Sequence, residues 1–316
     1  MSAVARTTAI VFAYHNVGVR CLKVLLDGGI DVRLVVTHAD NPAEAVWFAS
    51  VATVAAEHGL HCIAPADANA GDVLAECRRH APDFLFSFYY RQMLKAPLLA
   101  LPRRGASNMH GSLLPRYRGR APVNWAVLHG ERETGASLHA MEVQPDRGAL
   151  VDQCAVPILR DDTAREVFDK VSVAAEIVLA RSLPRLIDGT AVLTPQDLAR
   201  GSYFGGRRAE DGRIPAGAGG REVHDLVRAV APPEYPGAYF ETGGVRIGLA
   251  RTQVIEATEP QRISERFSVF ARDGALWLQA ADGVVLRILA ASVSGASLDA
   301  ASFVSRFGAA ALTPDA

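Results

Sequence analysis

The chain predicts an α/β protein, with a doubly wound, mostly parallel sheet first and a small β-barrel after it. Three observations carry this. Over the first hundred residues, short apolar runs alternate with helical patterns, as parallel strands joined by crossover helices do. The longest helical pattern, Thr163 to Ile187, ends at Asp188-Gly189 and closes the first unit. From Ala238 onward only short alternating runs remain, at the spacing of a small barrel. The expected organisation is a catalytic domain over 1–200, a linker over 201–220 and a C-terminal β domain over 221–316.

Taken in order, Thr8 to Ala13 is a continuous apolar run and reads as a buried strand; Val19 to Leu26 follows as a helix stopped by Gly28-Gly29. Asp31 to Thr37 is the next strand, Ala43 to His58 a helix, Leu60 to Ala64 a short strand and Ala70 to His80 a helix. Asp83 to Tyr90 is a strand and Leu94 to Ala100 a short helix. Thr134 to Val143 and Ala149 to Leu159 read as a strand pair joined by the turn Gln144-Pro145-Asp146-Arg147-Gly148. The stretch from Gly201 to Gly220 is rich in Gly, Arg and polar residues and reads as a linker. A short helix, Glu222 to Ala229, precedes the turn Pro232 to Gly237. The remaining strands are Val245 to Ala250, Arg266 to Ala271, Leu276 to Ala280 and Val284 to Leu289.

Length and composition bound the function. At 316 residues two domains are the better expectation, and 49% hydrophobic with 21% charged residues is the balance of a globular protein with a full core. A net charge of −1 supplies no overall pull toward nucleic acid or anionic membrane. Only Lys23, Lys95 and Lys170 are lysines, a bias that carries no functional weight. The four cysteines, Cys21, Cys62, Cys77 and Cys154, lack metal-ligand or redox spacing and read as thiols in a reducing compartment. The nine histidines include no His-x-x-x-His pair, so no metal is expected. No run is long enough to span a bilayer, and the start of the chain leaves no room for a signal peptide, so the expected location is cytoplasmic.

The segment Asn108-Met109-His110-Gly111-Ser112-Leu113-Leu114-Pro115 carries the chemistry. In extended backbone, residues i and i+2 point to one side, so Asn108 and His110 would face one pocket, roughly 7 Å apart at the Cα level. An amide can hold a developing oxyanion, and an imidazole can move a proton. Asp146, in the later turn, could tune that imidazole, a nearby carboxylate raising its pKa. Ser112 lacks the Gly-x-Ser-x-Gly elbow of a nucleophile, and the loop Tyr14-His15-Asn16-Val17-Gly18 lacks a Gly-x-Gly-x-x-Gly or Walker pattern. Tyr89, Tyr90 and Arg91 suit either ordinary packing or a ligand wall. Arg118 and Arg120 suit either solvation or an anion clamp.

On these residues the chain resembles the folate-dependent formyltransferases. The matching pieces are Asn108-x-His110, the Ser-Leu-Leu-Pro-x-Tyr-Arg-Gly run and Asp146. Phe12-Ala13-Tyr14-His15, Thr37 to Pro42, Phe86 to Arg91 and Gly119 to Trp125 resemble the branch that acts on UDP-4-amino-4-deoxy-L-arabinose, found as a domain of bifunctional polymyxin-resistance enzymes. The likeness is strong over about 1–190 and looser beyond, where an extra Gly (Gly205-Gly206), an Ala/Gly tract and Glu234 depart from the pattern.

The resemblance implies a Rossmann-like formyltransferase domain followed by an OB-like β-barrel. It implies 10-formyltetrahydrofolate as formyl donor and a UDP-amino sugar as acceptor, in lipid A modification and polymyxin resistance. By resemblance Asn108 stabilises the oxyanion, His110 is the acid/base and Asp146 raises the imidazole pKa. Gln92, Met93 and Leu94, together with Arg120, Glu142, Val143, Gln144, Pro145 and Asp146, match donor-contacting positions. The chain ends at Ala316, so a separate dehydrogenase is expected to supply the sugar; the oligomeric state is open. Methionyl-tRNA formyltransferase is the rival, and a net charge of −1 suits its polyanionic partner poorly. Deformylase activity and a catalytically dead binding module are further alternatives.

Overall fold

A computed structural model describes residues 6–42, 46–255 and 263–315. In chain order the first elements are β1 (Thr8–Ala13), α1 (His15–Asp27), β2 (Asp31–Val36), α2 (Val51–Glu57), β3 (Cys62–Ile63), α3 (Gly71–Arg79), β4 (Phe84–Phe88), α4 (Ala96–Leu99) and β5 (Ala106–His110). There follow β6 (Arg118–Gly119), α5 (Pro122–Leu128), β7 (Glu133–Ala140), β8 (Leu150–Pro157), α6 (Ala164–Asp188) and β9 (Tyr203–Phe204). The last elements are α7 (Gly220–Ala229), β10 (Ala238–Thr242), β11 (Val245–Ile255), β12 (Ser268–Arg272), β13 (Ala275–Gln279), β14 (Val285–Val293), β15 (Ala296–Ser297) and α8 (Ala300–Phe307).

The chain divides into two compact units. The first comprises residues 1–122, 133–157 and 168–205, the second 123–132, 158–167 and 206–316. The first unit holds a seven-stranded sheet in the order β3-β2-β1-β4-β5-β7-β8. The strands from β3 to β5 pair in parallel, and β7 and β8 are added antiparallel. Strand order reverses between β1 and β4, and in such sheets ligands collect beyond the carboxyl ends of the strands near that reversal. Tyr14, Tyr89 and His110 all stand at such ends.

The doubly wound fold follows from burial. Ile10, Phe12, Leu34, Val36 and Leu85 pack with Leu94 and Leu98 in one core cluster, each fully buried side chain contributing roughly 1.5–3 kcal/mol. Their strands are covered on both faces, which is why they read as continuous apolar runs rather than alternating ones. The second unit is an antiparallel half-barrel in the order β10-β11-β14-β13-β12, with β15 pairing β14. Phe240 and Phe267 meet edge to face in its core, with ring centroids 5.2 Å apart.

Several elements differ from the sequence reading. The helix expected over 43–58 is α2 alone; residues 43–45 lie outside the described residues, and 46–50 are irregular. Ser50 caps α2 by accepting from the Thr53 amide, and Trp47 and Phe48 instead pack around His15 at 4.4 and 4.0 Å. The helix α5 was not anticipated, because seven residues give too little periodicity. The same holds for α8, whose start is an Asp299/Ser302 capping box. Among the described residues no helix is long and apolar enough to cross a membrane.

Candidate active site

Residues 106–110 are extended, because β5 pairs with β4 on one side and β7 on the other. Within the β5–β7 pair Asn108 lies opposite His139, and His110 opposite Ser137. Directly opposed residues put their side chains on the same face, and Asn108 Nδ2 is 3.1 Å from His139 Nε2. His139 Nδ1 is 2.8 Å from the carbonyl oxygen of Ala140. Both contacts are satisfied when Nδ1–H donates to that carbonyl and Nε2 accepts from the Asn108 amide. The amide is thereby oriented with one N–H still to give.

Asp146 completes the group. Its Oδ1 lies 3.6 Å from His110 Nδ1 and 3.6 Å from His139 Nε2. Its Oδ2 accepts from the Gly119 N–H at 2.8 Å. The residue adopts φ 57°, a left-handed conformation that costs energy outside glycine. Gln196 holds the turn in place, its Nε2 donating to the Asp146 and Gly148 carbonyls at 3.1 and 2.7 Å. The structure thus brings Asn108, His110 and Asp146 together.

Asp146 pulls the His110 pKa up as expected, and burial outweighs it. His110 is buried, and burial carries its pKa below the ordinary histidine value. Asp146 and the Tyr117 carbonyl, 2.8 Å from Nε2, oppose this in part, and His139 adds to it. A carboxylate beside the ring therefore does not leave the pKa raised, because desolvation wins. Burial alone would raise the Asp146 carboxyl, yet His110 and the Gly119 N–H hold it well below the usual carboxylate range. The resting site pairs an ionised acid with a neutral imidazole.

The flanking loop is locked from beneath. Ser112 Oγ donates to the Arg116 carbonyl at 2.6 Å, so its hydroxyl is engaged in the turn. Ser137 Oγ accepts from the Leu114 N–H at 3.1 Å and from Gln153 Nε2 at 2.7 Å. Two glycines are required by close approach. A Cβ at Gly111 would overlap the Tyr89 hydroxyl, and one at Gly119 would overlap the Phe204 carbonyl oxygen.

The remaining sequence-derived residues differ in burial and anchoring. Gln92 is anchored, its Nε2 donating to Ala66 O and its Oε1 accepting from Ala68 N, both at 2.8 Å. Met93 is 52% exposed and Leu94 is buried in the core. Glu142, Val143 and Gln144 are exposed, Pro145 is half-buried and Arg120 is exposed. Arg118 is buried, with Nε donating to Ser202 O at 3.3 Å, so it is a structural cation and not an exposed clamp. Tyr90 stacks on His38 at 4.0 Å and meets the Phe12 ring edge-on at 5.3 Å; burial pushes its hydroxyl up to about 12. Arg91 lies 4.9 Å over the Tyr14 ring.

Sequence reasoning missed His139, Gly119 and Gln196. The first could have been found only by pairing β5 against β7 in register, which no local pattern specifies. A Gly inside the Tyr-Arg-Gly-Arg run was the visible hint of the second.

Comparison with known proteins shows the family and the fold. Residues 6–183 match the family model described as formyl transferase, and residues 207–308 match that of the formyl transferase C-terminal domain. Among solved structures, the fold is similar to an N-formyltransferase from Helicobacter canadensis, in complex with folinic acid and dTDP-3-aminofucose. That match has 19% identity, a TM-score of 0.70 and coverage of 90% of this chain and 99% of that one. It is also similar to WlaRD, a sugar 3N-formyl transferase with dTDP and 5-N-formyl-THF, at 18% identity, TM-score 0.70 and coverage of 92% and 99%. A sugar N-formyltransferase from a Shewanella species matches at 19% identity, TM-score 0.61 and coverage of 79% and 99%.

Proposed function

The chain belongs to the formyl transferase family, and from that premise we propose that it moves the formyl group of 10-formyltetrahydrofolate onto the 4-amino group of UDP-4-amino-4-deoxy-L-arabinose. The reading includes a place in lipid A modification and polymyxin resistance. The observation that carries the transfer chemistry is the Asp146 carboxylate, 3.6 Å from both His110 and His139, beside an Asn108 amide held by His139. The 4-amino sugar is supported by the sequence pieces 12–15, 37–42, 86–91 and 119–125.

The residues divide the work. His110, neutral at rest, takes a proton from the amine as its nitrogen bonds to the formyl carbon. Asn108 donates to the formyl oxygen as negative charge gathers there, a contribution of about 3–4 kcal/mol for one such donor. Asp146 stabilises the imidazolium that forms, and His110 then gives the proton to the departing folate nitrogen as its bond to the formyl carbon breaks. Atoms balance: one C–N bond forms, one breaks, and one proton changes nitrogen. Gln92 to Leu94, Arg120 and Glu142 to Asp146 are the positions that would contact the donor. Met93 and Glu142 to Gln144 are exposed, and anchored Gln92 keeps the first of these segments in place.

An acceptor screen tests the proposal. Purified protein is incubated with 10-formyltetrahydrofolate and UDP-4-amino-4-deoxy-L-arabinose, dTDP-3-amino sugars, methionyl-tRNA or buffer, and formylated product is followed by mass. Formylation of the UDP sugar at the highest kcat/KM is the expected result. A preference for dTDP-3-amino sugars, which the bound ligand of the Helicobacter neighbour makes the second candidate, would overturn the sugar assignment. Dependence on charged tRNA would move the protein to translation initiation, and release of formate in buffer alone would make it a hydrolase.

A further inference from the structure

Away from the formyl-transfer residues, α3 and the edge of the large sheet bring together three side chains of metal-ligand type. Glu76 and His80 are four apart at the end of α3 and share one helix face. His61 precedes β3, the outermost strand of the sheet. His80 Nε2 lies 3.1 Å and His61 Nδ1 3.7 Å from Glu76 Oε1, and one donor atom from each residue lies within 4.8 Å of the others. We propose that His61, Glu76 and His80 bind a divalent cation of the zinc class and clamp α3 to the sheet edge.

Chemistry selects the cation. Two imidazole nitrogens and one carboxylate suit zinc and its neighbours, whereas magnesium and calcium demand oxygen. Bonds of about 2.0–2.2 Å to a tetrahedral zinc separate the ligand atoms by about 3.3–3.6 Å. The 3.1 and 3.7 Å separations from Glu76 Oε1 bracket that range. Glu76 and His80 are mostly covered, with side chains 16% and 23% exposed, while His61 is 53% exposed and can turn to close the site. Arg79 pairs with the other oxygen, Oε2, and so leaves Oε1 toward the rings. Binding requires the proton on His80 Nε2, now directed at Glu76, to leave for Nδ1 or for solvent. The fourth position is left to water.

The clamp has a reach. The segment between His61 and Glu76 holds the wall proposed to contact the donor. Ala66 and Ala68 anchor Gln92, while Asn69 donates to Met93 O at 2.9 Å and accepts from Lys95 N at 2.8 Å. A cation at its two ends would restrict that segment's freedom. Only this coupling to the donor rests on the proposed function; cation binding does not.

Zinc titration of the full chain at pH 7.5 by calorimetry tests the site, with Co²⁺ absorption as the spectroscopic readout. One equivalent is expected to bind at micromolar Kd, with visible d–d bands of a four- or five-coordinate cobalt. His61→Ala, an exposed change that cannot unfold the chain, and Glu76→Gln should each weaken binding about tenfold or more, leaving metal-free formyl transfer unchanged. Amide exchange over 64–70 should slow when zinc is present. Absence of binding at about 100 µM zinc, or binding undiminished in both variants, overturns the site. Unaltered exchange over 64–70 in the loaded protein overturns the clamp.

Discussion

Replacing Gly119 with alanine tests the link between the short β6–β9 ribbon and the Asp146 carboxylate. Gly119 has φ +98°, which L side chains rarely adopt, and its N–H reaches Asp146 Oδ2 at 2.8 Å. A Cβ there overlaps the Phe204 carbonyl oxygen and lies 3.2 Å from both its carbonyl carbon and Tyr203 Cε2. The positive φ costs about 1–2 kcal/mol and relieving the overlap about 1–3 kcal/mol, so Gly119→Ala is expected to lose about 2–5 kcal/mol. Gly29→Ala is the control, with φ +75° and no heavy atom within 4 Å of its Cβ; it carries the first cost only. Urea unfolding of both variants measures the difference. Steady-state turnover at 25 °C, where both remain folded by circular dichroism, reads the second effect. The displaced N–H is one of the groups that keep Asp146 ionised, so formyl transfer should fall about tenfold or more in Gly119→Ala and little in Gly29→Ala. Equal stability of the two variants, or wild-type turnover in Gly119→Ala, would refute the coupling.

Further predictions address the trio. Asn108→Ala should lower kcat by about 10²–10³ with little change in KM, since the lost donor acts on charge present only in the transition state; a variant turning over at the wild-type rate removes Asn108 from the mechanism. The pH profile tests His110. Its folded pKa lies below the ordinary value because burial outweighs Asp146, so the neutral base survives into mildly acidic buffer and the acid limb of kcat/KM should fall below about pH 6.5. Asp146→Asn removes the upward pull and should move that limb lower still while cutting kcat. The same change bears on stability. Asp146 has a depressed folded pKa, so its stabilisation is full above the unfolded carboxylate value and is lost as pH falls through the folded one. The Asn variant should therefore lose less stability between neutral and strongly acidic pH. A limb that rises in Asp146→Asn contradicts the assigned electrostatics.

Much of the site was legible because β5 is short and local. Asn108 and His110 are two apart, and extended backbone alone turns both toward one face. The amide and imidazole were therefore readable as a pair before any contact was known. The carboxylate was named from resemblance and from its turn, but its setting was not. Its partners Gly119, His139 and Gln196 come from three other segments, brought together by the β5–β7 register, the β6–β9 ribbon and the Leu150–Thr194 bridge. The upward pull of Asp146 on His110 was readable, and the larger downward effect of burial was not. A charge beside a ring is visible in a motif, whereas desolvation depends on everything packed around it. The His61, Glu76 and His80 cluster escaped a search for His and Cys pairs, because its helical pair is Glu and His and its third member sits on another element.

Alternation of apolar runs and helices determined the doubly wound sheet, since strands covered on both faces must be apolar throughout. Local spacing determined the Asn108/His110 pair. Tertiary structure decided the rest: where helix gives way to aromatic packing at Trp47 and Phe48, which histidine orients the amide, and whether burial or charge governs His110. Those outcomes depend on contacts between residues far apart in the chain, and neither periodicity nor spacing encodes their energies.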